Sequence, residues 1–392
     1  MMRGAPEGAG GLARTLPGHF YHDPAIWRLE QERIFSRLWV CVGRADQHPD
    51  AGDYRTAPVG DESVLLVRDR DGALRAFLNV CRHRGARLCP AERGHARALQ
   101  CRYHAWTYGL DGRLLRAPGL PDGPDFDRGA FGLVAVPVDT WEGLVWVSLA
   151  AAPPPVTEQL VPQIAARLGD PGRLAPYRLG GLQVARRIEY DVRANWKLVV
   201  ENFMECYHCA PMHPELVRRL PAFRSGATQQ YGLGTRLADD AESLTMSGRA
   251  PAPPFPGLAP GHERHYFGLV LRPNVFLNLL PDHAIVHTLI PLAPDRSRVL
   301  CDWLFDPPAL ARPGFDPADT VELFDRVNRQ DWEVCEWAQA GVRSRAYRGG
   351  GVYVPIERHI RGFNDFVLEQ LGLEAAGWTP PPAPPASSSE PG

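Results

Sequence analysis

CRHRGARLCPAERGHARALQCRYHAWTYGLDG, residues 81–112, sets a Cys-x-His pair and, after seventeen residues, a Cys-x2-His pair. Cys81, His83, Cys101 and His104 are all metal-ligand types, and two arrangements compete for them. A structural zinc site takes two Cys and two His. Zinc fingers, however, group like ligands, as C-x2-C followed by H-x3-5-H, whereas here each half carries one of each. Two loops so built can bring both thiolates to one metal and both imidazoles to another.

That division is the ligation of a Rieske [2Fe–2S] centre. Gly85 and Gly109 suit tight loops beside an inorganic cluster. Cys89 has no companion Cys near His104 and reads as a buried thiol, and His95 as a solvated loop residue. Around this stretch, short runs such as SVLLVRD, RAFLNV and GLVWVSL alternate with Gly, Asp and Pro turns, which predicts a small antiparallel β domain.

At 392 residues the chain is long enough for two domains. An apolar fraction of 44% and a charged fraction of 22% are those of a folded globular protein. A net charge of −2 leaves no basic face for nucleic acid. No run of eighteen apolar residues predicts a membrane span, and the N-terminus lacks the apolar core of a secretory signal. The eight cysteines are scattered, unlike a disulfide scaffold, so a reducing cytoplasm is expected, where Cys beside His means metal.

The organisation expected is α+β. Residues 1–18 are Gly-rich and expected to be disordered. Residues 19–38 carry an amphipathic helix packing on the larger domain, capped by Asp23 with Pro24 at its first position. Residues 39–150 form the β domain, and AAAPPPV at 150–156 marks the boundary. Residues 151–378 hold a strand (LQVARRIEYDV), a helix from Asn195 to about Tyr207, strands from Tyr266 to Phe305, a helix over about Pro317–Gly341 and the amphipathic IERHIRGFNDFVLEQLGL. Such helices pack on one antiparallel sheet. The Pro- and Ser-rich tail, 379–392, is disordered by composition.

A one-electron carrier needs an acceptor, and ANWKLVVENFMECYHCAPMHPEL, from Ala194, offers one. Lys197, Glu201 and Glu205 follow at helical spacing; the plain reading is a solvated face with a Lys197–Glu201 pair. That does not account for His208, which closes the helix, and His213, which a turn past Pro211 can fold back. Two such imidazoles and a distant carboxylate make the facial triad of non-haem Fe(II) oxygenases. In the long helix, Phe324, Val327, Cys335 and Ala338 lie one or two turns either side of Asp331. A carboxylate in that buried stripe must be paired or metal-bound, so Asp331 is the expected third ligand; a hydrogen-bonded buried Asp is the competing reading. Glu322, Asp325 and Glu336 read as surface. His283 with His287 (on a strand), His262 with His265 (in a loop) and Cys206 with Cys209 are discounted as metal pairs.

CRHRGARLC with CRYHAWTYGLDG resembles the Rieske domain of ring-hydroxylating oxygenase large subunits. NWK, EN and ECYHCAPMH resemble their catalytic domain, so the likeness covers roughly residues 15–372. It implies that Cys81, His83, Cys101 and His104 hold the cluster. It implies equally that His208, His213 and Asp331 hold a mononuclear Fe(2+) in a helix-grip-like sheet. In that family an acid three residues before the first iron His links it to the cluster of a neighbouring subunit, in a homotrimer. Here the acid is Glu205, where aromatic-ring dioxygenases have Asp.

Glu at this position resembles the branch that oxidises quaternary ammonium compounds such as glycine betaine. A monooxygenase that hydroxylates an N-methyl group and so demethylates a small-molecule substrate with O2 is the expected activity. An aromatic-ring dioxygenase alpha subunit and a non-catalytic Rieske electron carrier are the alternatives. The ammonium group would sit among aromatic faces, with Phe203, Tyr207, Tyr266, Phe267 and Phe276 as candidates. GAGGLA at 8–13 has no βαβ context and no P-loop is present, so electrons are expected from a separate flavin and iron–sulfur reductase.

Overall fold

The computed structural model describes residues 13–120, 126–226 and 234–373. The larger half is built on strands β1 (Gln183–Val192), β2 (Thr235–Arg236), β3 (His265–Leu271), β4 (Val275–Leu279), β5 (Ala284–Ala293) and β6 (Arg296–Phe305). They form one antiparallel sheet in the order β1-β6-β5-β4-β3-β2. Side chains alternate across it with the period of two that a strand imposes. Val275, Leu277 and Leu279 enter one core, whereas Phe276 enters the other. Both faces are covered, so these strands read as nearly unbroken apolar runs.

One face is covered by α2 (Val156–Leu168), which contributes Val156, Leu160, Ile164 and Leu168 at four-residue intervals. The other receives α3 (Trp196–Phe203) and α4 (Ala318–Gly341), with Leu323, Phe324, Val327 and Cys335 of α4 in its core. A last helix, α5 (Arg358–Leu371), closes that side through Phe363, Val367 and Leu371. The fold is α+β, as the alternating patterns predict.

The smaller unit centres on a five-stranded antiparallel sheet containing Asp53–Val59, Glu62–Arg68 and Leu74–Leu78, beside a three-stranded one (Leu99–Gln100, Thr107–Tyr108, Leu114–Arg116). It has its own core, including Phe77, Trp106, Tyr108 and Leu133. Its two ends return together: Val40–Arg44 pairs with Leu144–Val147, and Val40, Val145 and Val147 join the larger core.

Three expectations are corrected. The segment 13–18 of the supposedly disordered leader is packed, with Leu16 buried and Arg14 bridged to Val352; residues 1–12 and the tail 379–392 lie outside the described residues. The helix from Asn195 stops at Phe203 instead of Tyr207, because the Glu205 carboxylate accepts the backbone N–H groups of Tyr207 and His208 in place of a further helical turn. Lys197 is not on a solvated face. It is fully buried and ion-paired with Glu30 at the end of α1 (Pro24–Glu30), the helix that Asp23 caps with Pro24 in first position. Cys206 and Cys209, discounted as a metal pair, are joined in a disulfide, the turn after α3 holding their Cα atoms 4.8 Å apart.

Two candidate metal centres

The loops at 81–86 and 101–106 are built alike. Cys81 N–H donates to Ala86 O (2.8 Å) and Gly85 N–H to Cys81 O (3.1 Å); Cys101 N–H donates to Trp106 O (2.8 Å) and Ala105 N–H to Cys101 O (3.0 Å). Each turns through a left-handed residue, Gly85 (φ 70°) and Ala105 (φ 57°), a conformation that suits Gly and strains Ala. Gly109 lies away from this turn, its N–H bonded to Arg113 O.

The two loops bring all four side chains of the Cys/His motif to one end of the β unit. Cys81 and Cys101 are buried, whereas His83 and His104 are exposed with ring centroids 4.7 Å apart. Trp106 stacks against His83 at 5.0 Å. The Tyr108 hydroxyl lies 3.4 Å from Cys81 Sγ and accepts the Arg82 N–H at 3.0 Å. Thiols inside and imidazoles at the surface suit a cluster with its sulfur-bound iron shielded and its imidazole-bound iron accessible. Cys89 is buried, and burial pushes its thiol up to about 11, so it stays protonated. His95 is exposed and pairs with Asp53 at 2.9 Å.

The second cluster forms where the turn after α3 meets the middle of α4. His208 Nε2 lies 3.2 Å from Asp331 Oδ1, and His213 Nε2 lies 2.9 Å from the same oxygen. The opposite ring nitrogens are tied back: His208 Nδ1 to Glu205 Oε1 at 2.5 Å, and His213 Nδ1 to Gln330 Oε1 at 2.7 Å. Tying back one nitrogen and aiming the other inward is how metal-binding imidazoles are held. Burial works against the charged forms. Even so, hydrogen bonds to Asp331 and Glu205 hold His208 up to about 10, and those from both imidazoles keep the Asp331 carboxyl below its usual range. Two imidazoles converging on one carboxylate are a donor set that fits a divalent metal, which would take the place of the shared proton. Three other acids of α4 lie in ion pairs away from the triad: Glu322 with Arg326, Asp325 with Arg329, Glu336 with Arg193.

A cavity of about 570 Å³ opens onto this triad. Of the aromatic candidates, Phe203 and Tyr266 line it, and Phe276 stacks behind Phe203 at 4.5 Å. Phe267 faces the opposite core, and Tyr207 is 59% exposed. Phe223, Phe324 and Phe363, none of them among the aromatic candidates, also line the cavity.

A polar chain, also unforeseen, crosses the wall. The Tyr266 hydroxyl donates to Asn278 Oδ1 (2.7 Å), Asn278 Nδ2 lies 3.3 Å from His287 Nδ1, and His287 Nε2 lies 3.1 Å from Asn328 Oδ1. Burial pushes His287 down to about 4, so its imidazole is neutral at neutral pH. A signal was present for His287, since alternation places it on the same buried face as Ile285 and Leu289; its partners come from other elements.

Residues 38–137 match the Rieske [2Fe–2S] domain, and residues 179–373 match the catalytic domain of the ring-hydroxylating alpha subunit. The chain is 36% identical to the glycine betaine monooxygenase oxygenase subunit of Chromohalobacter salexigens, over 92% of this chain and 87% of that one. It is 31% identical to the carnitine monooxygenase oxygenase subunit of Escherichia coli K12, over 86% and 87%. The crystal structure of the quaternary ammonium Rieske monooxygenase CntA with L-carnitine superposes with a TM-score of 0.71 at 27% identity, covering 92% of this chain and 96% of that one.

Proposed function

The chain belongs to the Rieske ring-hydroxylating oxygenase alpha subunits, within the group of quaternary ammonium monooxygenase oxygenase subunits, and from that premise we propose that it demethylates a trimethylammonium substrate of the glycine betaine kind. We assign the [2Fe–2S] cluster to Cys81, His83, Cys101 and His104, within residues 39–150. The mononuclear Fe(2+) is assigned to His208, His213 and Asp331, within residues 151–378. When bound, the two centres supply single electrons and O2 activation. The observation that carries the reading is the meeting of two imidazole Nε2 atoms at one Asp331 oxygen beside an aromatic-lined cavity.

The protein's own groups have distinct tasks here. Glu205 and Gln330 orient the two imidazoles. Phe203 and Tyr266 present faces to an ammonium group near the triad. Neutral His287, held by Asn278 and Asn328, keeps the wall uncharged. The exposed His83 and His104 leave the cluster open to another protein surface, which supports delivery by a separate flavin and iron–sulfur reductase. We assign to Glu205 the passing of electrons from a neighbouring subunit's cluster in a homotrimer; its contact with His208 and the exposure of Tyr207 beside it support this.

The test is reconstitution with a surrogate reductase, NADH and a panel of quaternary ammonium compounds and arenes. Formaldehyde release from an ammonium substrate, with iron for a cluster plus one further atom per chain, is the expected result. Turnover of arenes alone would replace the substrate class, and zinc in place of the cluster would end the assignment.

A further inference from the structure

Along β3, Tyr266, Gly268 and Val270 all line the cavity, and the alternation ends on Arg272 just past the strand. The Arg272 guanidinium lies over the Phe366 ring at 4.2 Å and donates from Nε to Gln163 Oε1 at 3.2 Å. Among the described residues, its two terminal amino groups have no hydrogen-bond acceptor and no carboxylate lies within ion-pair distance. Two more guanidinium groups line the same end: Arg358 at the start of α5, and Arg167 one turn beyond Gln163, with Nε donating to Gly268 O at 2.9 Å. The acids among the cavity's lining residues are Glu205 and Asp331, at the triad. Tyr266 stands between the two ends, within the fields of both Arg167 and Asp331.

The cavity is therefore polarised, with carboxylates at one end and guanidinium groups at the other. A cation half removed from water without a counter-ion is costly to keep. Burial lowers the Arg272 pKa, and only Glu369, too distant to pair, opposes that. Two free parallel N–H donors match a carboxylate's two oxygens.

Building on the quaternary ammonium reading, we propose that Arg272, flanked by Arg358 and Arg167, anchors a carboxylate at the far end of the substrate. The guanidinium groups repel an ammonium head, which is driven toward Phe203 and the Asp331 end, so an N-methyl group faces the triad. The substrate is a betaine, carrying both charges, and an ammonium alcohol such as choline is discriminated against.

The test uses the full-length, metal-loaded protein. Arg272→Gln should raise KM for glycine betaine or carnitine on the order of 100-fold, with kcat within a few-fold, the choline KM unraised so that the preference for the betaine collapses, and iron content and cluster spectrum intact. A measurement on the unaltered protein stands beside it: calorimetric titration with 3,3-dimethylbutanoate and 3,3-dimethylbutan-1-ol, the carbon isosteres of glycine betaine and choline. The acid should bind at least about tenfold more tightly. Equal binding of the two isosteres, or a betaine KM within twofold after Arg272→Gln, overturns the anchor. Tight Arg272-dependent binding of the isosteric acid without demethylation of any ammonium compound upholds the anchor and removes the ammonium reading instead.

Discussion

Replacing Lys197 with Met isolates the charge that holds α3 in place. The Met stem fills nearly the volume of the Lys stem, so little cavity is created, but Glu30 loses its ionic partner at a position with no exposure at all. Trp196 Nε1 still donates to Glu30 Oε2 at 2.8 Å, and the Tyr21 and Trp196 rings, 5.5 and 5.4 Å from Lys197 Nζ, lose their cation. Stranding one half of a buried pair costs about 3–5 kcal/mol. With a urea slope of about 3 kcal/mol/M, the unfolding midpoint at pH 7.5 should fall by about 1 M or more.

The pH dependence sharpens this test. Burial raises the Glu30 pKa, and Lys197 pulls it back down. Without Lys197 the folded protein prefers a protonated Glu30, so the penalty appears as pH rises above the ordinary carboxylate range and shrinks as pH falls toward it. Adding Glu30→Gln removes the stranded charge, leaves an acceptor for Trp196 and should restore most of the midpoint. Urea titrations followed by tryptophan fluorescence at pH 7.5 and 5.5 give all three quantities. A Lys197→Met midpoint within about 0.3 M of the parent at pH 7.5, or a double variant no better than the single one, would refute the reasoning.

Four further outcomes are expected. Asp331→Ala should release the mononuclear iron while the cluster's visible absorption persists, read by metal analysis beside the spectrum. Glu205→Gln should keep both metals yet oxidise the cluster without matching product, measured as formaldehyde per NADH consumed. Tyr108→Phe removes a donor to Cys81 Sγ that favours the reduced cluster; a hydrogen bond of about 1 kcal/mol corresponds to a drop of about 40 mV in a one-electron potential, which electrochemistry would detect. His287, held down to about 4 while its unfolded form titrates near 6.5, contributes stability that is present above pH 6.5 and lost as pH falls toward 4. His287→Gln should flatten that part of the stability–pH curve by up to about 3 kcal/mol, judged against the parent across the window.

The convergence of Cys81, His83, Cys101 and His104 was legible because its information is local. Each loop carries its own Cys, His and left-handed residue within a few positions, and spacing alone separates it from a zinc finger. Asp331 was legible from the apolar residues one and two turns away. What escaped depends on distant partners or on side chains competing with the backbone. Helical spacing runs through Lys197, Glu201 and Glu205 without a break, so nothing in it says that the Glu205 side chain will take the next N–H groups and end α3. Lys197 looks solvated by pattern alone, because its partner Glu30 lies far away in sequence. Arg272 and Gln330 carry no motif; their roles exist only once α2, β3, α4 and α5 are assembled.

Glu205 shows that the acid at this position has a structural task. Its carboxylate does two things at once: Oε2 receives the N–H groups of Tyr207 and His208, and Oε1 holds His208 Nδ1. The backbone bonds fix the turn that swings His208 off the end of α3, and the ring bond sets which nitrogen faces Asp331. An Asp is one methylene shorter: it can still accept the N–H groups two and three residues on, as in an Asx turn, but its reach to the ring nitrogen is reduced. Shortening the acid at this position therefore sets the turn after α3 against the tether on His208, the imidazole that meets Asp331 at the mouth of the cavity.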